Sequence, residues 1–141
     1  MNVAAFLERA ASYLGHRPAL ARGTQVVATY AEFRDQVRAL AGALRSELGL
    51  APGDRCGIAM TNAPEIMTVM VACWHANLVA VPMNAKLHRR ELAYILDNAG
   101  AKACFINTKL RETFHGLEAE VPGLSEVVDA DGLRYRQLLD H

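Results

Sequence analysis

The second part of the chain alternates short, continuously apolar runs with segments of helical spacing, and this alternation constrains the fold most. Short apolar runs without polar alternation are typical of strands that are buried on both faces. Strands of this kind, separated by helices, predict a doubly wound α/β fold: a mostly parallel sheet with helices on both faces and right-handed crossovers. The predicted strands span residues 55–60, 78–83, 102–106 and 126–128.

The helices are predicted from apolar spacing and from the residues that start and stop them. Thr29 and Glu32 have the T-x-x-E spacing of a capping box, and a long helix with apolar residues from Phe33 to Leu48 follows them. Asn62 is expected to cap the helix after the first strand of the sheet. The other predicted helices span residues 2–14, 64–76, 88–99, 108–120 and 133–140, and a hairpin is predicted over 19–29.

The length indicates one domain and the composition a globular one, so the predicted elements are expected to form a single α/β subdomain that covers residues 1–141. Fifteen Lys and Arg balance fifteen Asp and Glu, and 52% of the residues are hydrophobic. Without a basic excess, general electrostatic attraction to nucleic acid or to an anionic membrane is not expected. Residues 66–83 carry no formal charge, but their pattern changes midway from helical to strand-like, so no membrane span is predicted. We expect a cytoplasmic location.

The three cysteines do not have the spacing of a metal site or of a redox motif. Cys56, Cys73 and Cys104 are far apart in the sequence and lie in apolar surroundings, which favours buried structural thiols over nucleophiles. The chain also lacks a glycine-rich phosphate loop and any set of nucleophile and base at a known spacing. The sequence therefore predicts no catalytic residue and no metal site.

Ligands of open parallel sheets bind beyond the carboxyl ends of the strands, and three of these ends are followed by an asparagine. Helix capping or a turn conformation is the ordinary explanation for Asn62 and Asn107. Capping explains Asn84 less well, because the next helix is predicted to begin four residues later, at His88. Asn84 is therefore a candidate site residue.

A basic cluster follows the same strand end and contains Lys86, His88, Arg89 and Arg90. One interpretation is a solvated helix start, where charged side chains are common. The other is a phosphate contact, because ammonium and guanidinium groups close to a strand's carboxyl end are well placed to bind an anion. The residues alone leave both interpretations open.

A series of short segments in a fixed order runs through most of the chain, from about residue 3 to residue 128. They are TYAEF at 29–33, LAGAL at 40–44, GDR at 53–55, NAPE at 62–65, VAVPMN at 79–84 and DNAGAK at 97–102. Together, in this order and spacing, they resemble the opening of the adenylate-forming acyl-CoA synthetases. One departure is Asn77-Leu78, where the family usually has Gly-Ala before the strand.

The resemblance implies ATP-dependent activation of a carboxylic acid with Mg²⁺, followed by capture of the acyl-adenylate by coenzyme A. In the family, the nucleotide-binding loop and the catalytic lysine lie further along the sequence than the part that corresponds to residues 1–141. The chain therefore resembles the N-terminal part of such an enzyme, and we expect it to be inactive alone. In some relatives a basic residue two places after the strand-end asparagine contacts the 3′-phosphate of coenzyme A. Lys86 occupies this position. The resemblance therefore implies that Asn84, Lys86, Arg89 and Arg90 lie where the enzyme binds coenzyme A.

Two alternatives remain at this point. The chain could be a stand-alone, non-catalytic α/β module for binding or interaction. A small self-sufficient enzyme of unrelated chemistry is disfavoured, because no nucleophile, base and oxyanion site are recognisable together. Since the sheet of the resembling enzymes packs against further elements, apolar surface could be exposed here and lead to self-association.

Overall fold

The computed structural model describes all 141 residues, and its strands and helices follow the predicted order. The strands are β1 (Pro18–Arg22), β2 (Gln25–Thr29), β3 (Arg55–Ala59), β4 (Val79–Pro82), β5 (Ala101–Ile106) and β6 (Glu126–Asp129). The helices are α1 (Ala5–Leu14), α2 (Tyr30–Ser46), α3 (Glu65–His75), α4 (Arg89–Ala99), α5 (Arg111–Phe114) and α6 (Leu133–Leu139). Short 3₁₀ turns at Thr108–Leu110 and Leu117–Ala119 flank α5.

Four strands form a parallel sheet in the order β4-β3-β5-β6, which confirms the predicted α/β class. The chain starts the sheet in its interior with β3, moves to one edge with β4, and returns across β3 to β5 and β6. In the register of the ladders, Ile58 of β3 lies opposite Pro82 of β4 and Phe105 of β5. β1 and β2 pair separately as an antiparallel hairpin.

Helices cover both faces of the sheet, and β5 shows this directly. Its side chains alternate between two cores: Ala103 and Phe105 pack among α1, α2, α3 and α6, whereas Cys104 and Ile106 pack against α4 and the segment around α5. All four side chains are almost completely buried. A strand buried on both faces has no need for polar alternation, which explains its continuously apolar sequence.

Two expectations about helix starts have different outcomes. The capping box at α2 is confirmed: the Thr29 hydroxyl accepts a hydrogen bond from the Glu32 N–H, and the Glu32 carboxylate accepts one from the Thr29 N–H at 2.7 Å. The predicted cap of α3 by Asn62 is wrong, because Pro64 stands at the start of that helix without any side-chain cap. Proline has a helical φ and no N–H of its own, so it can begin a helix without a cap.

The single helix predicted over residues 108–120 is also wrong, since the structure has only α5 and the two 3₁₀ turns there. The break lies at Gly116, whose φ of 70° is in the left-handed region and cannot continue a right-handed helix. Leu110, Phe114, Leu117 and Val121 are nevertheless all buried. Their helical spacing reflects burial on one side of the segment, and the backbone follows a less regular path.

Asn77, where the sequence departs from the family pattern, has a left-handed backbone conformation. Asn77 has a φ of 60° and is the only residue other than glycine with a positive φ. Glycine adopts this conformation freely, and asparagine tolerates it better than most other residues. The Asn77 side chain is exposed and accepts a hydrogen bond from the Asn2 amide at 3.2 Å. The asparagine therefore fits here without disturbing the core.

All three cysteines are buried and unpaired, as predicted. Contact with Cys73, together with burial, raises the pKa of the Cys56 thiol, and burial raises the pKa of Cys104. The neutral thiol is the form that an apolar core accommodates, so these residues contribute packing rather than nucleophiles. No helix combines the length and the apolar character that crossing a bilayer would require.

Candidate site at the carboxyl edge of the sheet

The carboxyl ends of β3 and β4 are neighbours and form an open groove of about 460 Å³. The groove is lined by side chains that directly follow the two strands and by the first turn of α3: Met60, Thr61, Asn62, Ile66, Met83, Asn84, Ala85 and Lys86. Of the four candidate residues from the sequence, Asn84 and Lys86 lie in this groove. The other two, Arg89 and Arg90, line a second groove along α4.

Asn84 shapes the turn that leads to Lys86. Its Oδ1 accepts a hydrogen bond from the Lys86 N–H at 2.9 Å, and its backbone carbonyl accepts one from the Leu87 N–H at 3.2 Å. This is the local side-chain turn for which asparagine is suited. Because α4 begins only at Arg89, Asn84 is not a cap of that helix. Its role in the structure is to fix the backbone that carries Lys86.

The Lys86 side chain is exposed and has no acidic partner within ion-pair distance. The other two lysines differ from it in position or in partner. Lys102 is paired with Asp54 at 2.9 Å, at the opposite, amino-terminal edge of the sheet, and Lys109 follows β5 rather than β4. Lys86 is therefore an unpaired cation at the groove between β3 and β4.

The two neighbouring arginines have different surroundings. Arg89 donates one hydrogen bond to the Thr113 carbonyl at 2.6 Å and one to Glu120 Oε1 at 2.8 Å. It therefore holds α4 against the irregular segment around α5. Arg90 is exposed and has no ion pair. Only Arg90 of this pair has a guanidinium that is free for a ligand.

Alanine substitution should separate the roles of the two arginines. Arg89→Ala is expected to lower the free energy of unfolding by about 1–2 kcal/mol, because it removes two charge-assisted hydrogen bonds, one of them to a backbone carbonyl. Arg90→Ala should change it by less than about 0.5 kcal/mol, as is usual for an exposed side chain. Urea denaturation of both variants measures the difference. Equal losses for the two variants would contradict the structural role of Arg89.

Asn107 ties the ends of β3 and β5 together. The residue is 7% exposed, and its Nδ2 donates to the Thr61 hydroxyl at 2.6 Å, whereas its Oδ1 is buried without a partner. The sequence marked Asn107 as a strand-end asparagine but contained no signal for this contact, because Thr61 lies 46 positions away. The contact holds in place one of the residues that line the groove.

A polar network at the ends of β5 and β6 was not predicted from the sequence. Asp129 accepts hydrogen bonds from the Thr108 hydroxyl, from the Arg111 guanidinium and from the Asp131 N–H at 2.9 Å. Burial raises the pKa of Asp129, but these donors together outweigh burial and hold the pKa below its usual range. With its oxygens occupied, the carboxylate is a structural acceptor. No three His, Cys, Asp or Glu side chains lie together in a way that could hold a metal ion.

Comparison with known proteins gives a family match over almost the whole chain. Residues 7–140 match the family model described as "AMP-binding enzyme". A mitochondrial acyl-coenzyme A synthetase of mouse is 29% identical in an alignment that covers 89% of this chain and 24% of that protein. A 3-oxocholest-4-en-26-oate–CoA ligase of Rhodococcus rhodochrous is 30% identical over 128 residues, 91% of this chain and 23% of the relative. The chain thus spans about a quarter of the length of these relatives.

Solved structures share the fold. A benzoate CoA ligase from Burkholderia xenovorans superposes with a TM-score of 0.87 at 25% identity, covering 99% of this chain and 28% of that protein. The N-terminal domain of FACL13 from Mycobacterium tuberculosis superposes with a TM-score of 0.86 at 26% identity, covering 99% of this chain and 35% of the other. In both cases almost the complete fold described above has a counterpart.

Proposed function

The chain belongs to the AMP-binding enzyme family, and we propose that it forms the N-terminal part of an acyl-CoA ligase. Such an enzyme would activate a carboxylic acid with ATP, releasing pyrophosphate, and would then transfer the acyl group from the acyl-adenylate to the thiol of coenzyme A. The match over residues 7–140, with relatives named as CoA synthetases and ligases, is the observation that carries this proposal.

The residues of this chain do not fit a binding site for Mg²⁺. No three potential ligands lie together, and the Asp129 carboxylate is already occupied by hydrogen-bond donors. The chain also lacks a glycine-rich phosphate loop. We therefore propose that other parts of the parent enzyme bind ATP and Mg²⁺. This chain would contribute residues that bind coenzyme A.

Lys86 is the residue that we propose as the coenzyme A contact. Its ammonium is exposed and unpaired at the carboxyl edge of the sheet, where ligands of open α/β sheets bind. A phosphate of coenzyme A would supply the anionic partner that the structure does not provide. The Asn84 turn fixes the backbone of Lys86, so less freedom is lost on binding.

Arg90 is a second free cation in this region, whereas Arg89 would act indirectly by holding α4 in place. Lys86 lines the groove between β3 and β4 and Arg90 lines the groove along α4, so each cation would contact the ligand separately. This arrangement binds the thiol substrate and orients it; it moves no proton and makes no covalent bond.

In the complete ligase, Lys86→Ala is expected to raise the KM for coenzyme A about tenfold, which corresponds to about 1.4 kcal/mol for a lost charge-assisted contact. Formation of the acyl-adenylate should be unaffected, because coenzyme A takes no part in that step. Pyrophosphate release without coenzyme A measures the first step, and thioester formation at varied coenzyme A measures the second. Lys102→Ala is the matched control at the opposite edge of the sheet, and it should leave both parameters unchanged. An unchanged KM in Lys86→Ala would remove this residue from the site.

The 141-residue chain alone is expected to form no acyl-adenylate, because its residues provide no nucleotide site. Acid-dependent pyrophosphate release from ATP by the purified chain would contradict this expectation. If the chain binds coenzyme A without any parent enzyme, the alternative of a stand-alone binding module gains support. A cytoplasmic location and self-association through an exposed face both stay predictions.

A further inference from the structure

Thr61 follows the interior strand β3 and lies between the ends of two neighbouring strands. In the strand order β4-β3-β5, Lys86 follows β4 on one side and Asn107 follows β5 on the other. Thr61 and Lys86 line the same groove, whereas Asn107 is buried and contacts Thr61 from the side of β5. Lys86 is the only one of these three residues to which a role in binding has been given above. The contacts of the other two indicate a further role.

The Asn107 side chain forms hydrogen bonds to Thr61 alone, and it does so through its nitrogen. Nδ2 lies 2.6 Å from the Thr61 hydroxyl oxygen and 3.4 Å from the Thr61 carbonyl oxygen. Because a carbonyl oxygen can only accept, the amide atom beside it has to be the nitrogen, which fixes the direction of both contacts. The Oδ1 atom is buried without a partner. A buried acceptor without a partner is unfavourable, so an asparagine at this position needs a reason beyond stability.

The hydrogen bond from Asn107 determines what the Thr61 hydroxyl can offer to a ligand. A hydroxyl has one hydrogen to donate and two lone pairs that accept. Asn107 occupies the accepting side, and no acceptor of this chain takes the hydrogen. The hydroxyl is therefore held as a donor on a residue that lines the groove. Lys86 in the same groove is also only a donor, because an ammonium cannot accept.

We propose that Thr61 is a second contact to coenzyme A, donating its hydroxyl hydrogen to a phosphate oxygen, and that Asn107 is the positioning residue of this contact. The contact rests on the proposed function, because it lies in the groove where Lys86 would bind coenzyme A. Two donors match a phosphate, and no carboxylate lies among the residues that line the groove. A hydroxyl adds a directed hydrogen bond to the charge of Lys86, so the two together would orient the phosphate as well as attract it.

An acceptor from another part of the parent enzyme is the alternative partner of the Thr61 hydroxyl. The two cases differ in the step that the hydroxyl supports. A contact to coenzyme A acts only in the second step, when the thiol substrate binds. A contact within the enzyme supports the folded protein and therefore affects formation of the acyl-adenylate as well.

Thr61→Val in the complete ligase tests the contact, because valine has nearly the same shape but no hydroxyl. The KM for coenzyme A should rise about fivefold with little change in kcat, and pyrophosphate release without coenzyme A should stay within about 1.5-fold. Thr61→Ser keeps the hydroxyl and should restore the KM to within about twofold. Thr108→Val is the matched control and should leave the KM unchanged. Thr108 also follows a strand, but its hydroxyl donates to Asp129 outside the groove.

Asn107→Leu tests the positioning role. It should raise the KM for coenzyme A about threefold, because the Thr61 hydroxyl is no longer held as a donor to the groove. The double variant with Thr61→Val should have the same KM as Thr61→Val alone, since Asn107 would act only through that hydroxyl. A purely structural role of Asn107 would make the two effects multiply, which would overturn its assignment. Circular dichroism confirms that each variant remains folded.

Lys86→Ala separates a failure of this contact from a failure of the proposed function. If Lys86→Ala raises the KM and Thr61→Val does not, the Thr61 contact is overturned and the coenzyme A site stands. If Thr61→Val slows both steps equally, its hydroxyl serves the fold of the parent enzyme, which also overturns the contact. If the unaltered ligase forms no thioester, the proposed function fails, and calorimetric titration with coenzyme A still tests Thr61. Binding about fivefold weaker in Thr61→Val would support the contact, whereas an unchanged Kd or no binding at all would overturn it.

Discussion

Phe105→Ala is expected to lower the free energy of unfolding by about 3–5 kcal/mol, the usual range for removing a buried aromatic ring from a core. Phe105 is completely buried in the interior strand β5. Its ring packs edge-to-face against Tyr135 of α6, with 6.2 Å between the ring centroids. The substitution would therefore leave a cavity between the sheet and one helical layer. It would also remove an aromatic pair that contributes beyond its buried area.

Phe6→Ala is the matched control, because it removes the same side chain from a position that is 61% exposed. We expect it to change the free energy of unfolding by less than about 0.5 kcal/mol. Urea denaturation monitored by circular dichroism measures both variants. A loss below about 1 kcal/mol for Phe105→Ala, or similar losses for the two variants, would show that the core is not packed as described.

Gly57→Val is expected to destabilise the chain by about 2–3 kcal/mol through overpacking. Gly57 lies in β3 beneath α4, and a Cβ at this position would be 2.6 Å from Leu96 Cδ2 and 3.0 Å from Cys104 Sγ. Valine has a better intrinsic preference for strands than glycine, which would stabilise the strand by up to about 1 kcal/mol. Because Leu96 and Cys104 are both fully buried and cannot move into solvent, the steric cost outweighs this preference.

A double-mutant cycle identifies why Gly57→Val lowers the free energy of unfolding. Leu96→Ala alone is destabilising, since it removes a buried side chain, but it also opens the space that a valine in place of Gly57 needs. The combined variant should therefore be more stable than the sum of the two single changes predicts, with a coupling of about 1 kcal/mol or more. Additive losses would show that the close approach of Leu96 to β3 is not what makes a glycine necessary.

The strands of the sheet were predictable because each is a local property of the sequence. The predicted run 102–106 corresponds to β5 (Ala101–Ile106), and 55–60 corresponds to β3 (Arg55–Ala59). The capping box of Thr29 and Glu32 was recognisable for the same reason, because its partners are three residues apart. The prediction of one helix over residues 108–120 was wrong, because apolar spacing indicates which residues are buried but not the left-handed conformation of Gly116.

The candidate site was predicted in part. The resemblance pointed to Lys86, and the structure supplies its surroundings: the turn formed by Asn84 and the absence of an acidic partner. That Arg89 is held by Thr113 and Glu120, 24 and 31 positions away, could not be read from the basic cluster, where Arg89 and Arg90 look alike. The contact of Asn107 with Thr61 could not be predicted for the same reason, because the two residues are 46 positions apart.

The amino-acid sequence by itself determined the α/β class, the approximate position of each strand, and the family resemblance. Those features depend on residues that are neighbours along the chain. Only the tertiary structure decided the strand order β4-β3-β5-β6 and which cations are paired. Ion pairs and exposure arise between residues that folding brings together from distant positions, and they are therefore properties of the folded molecule.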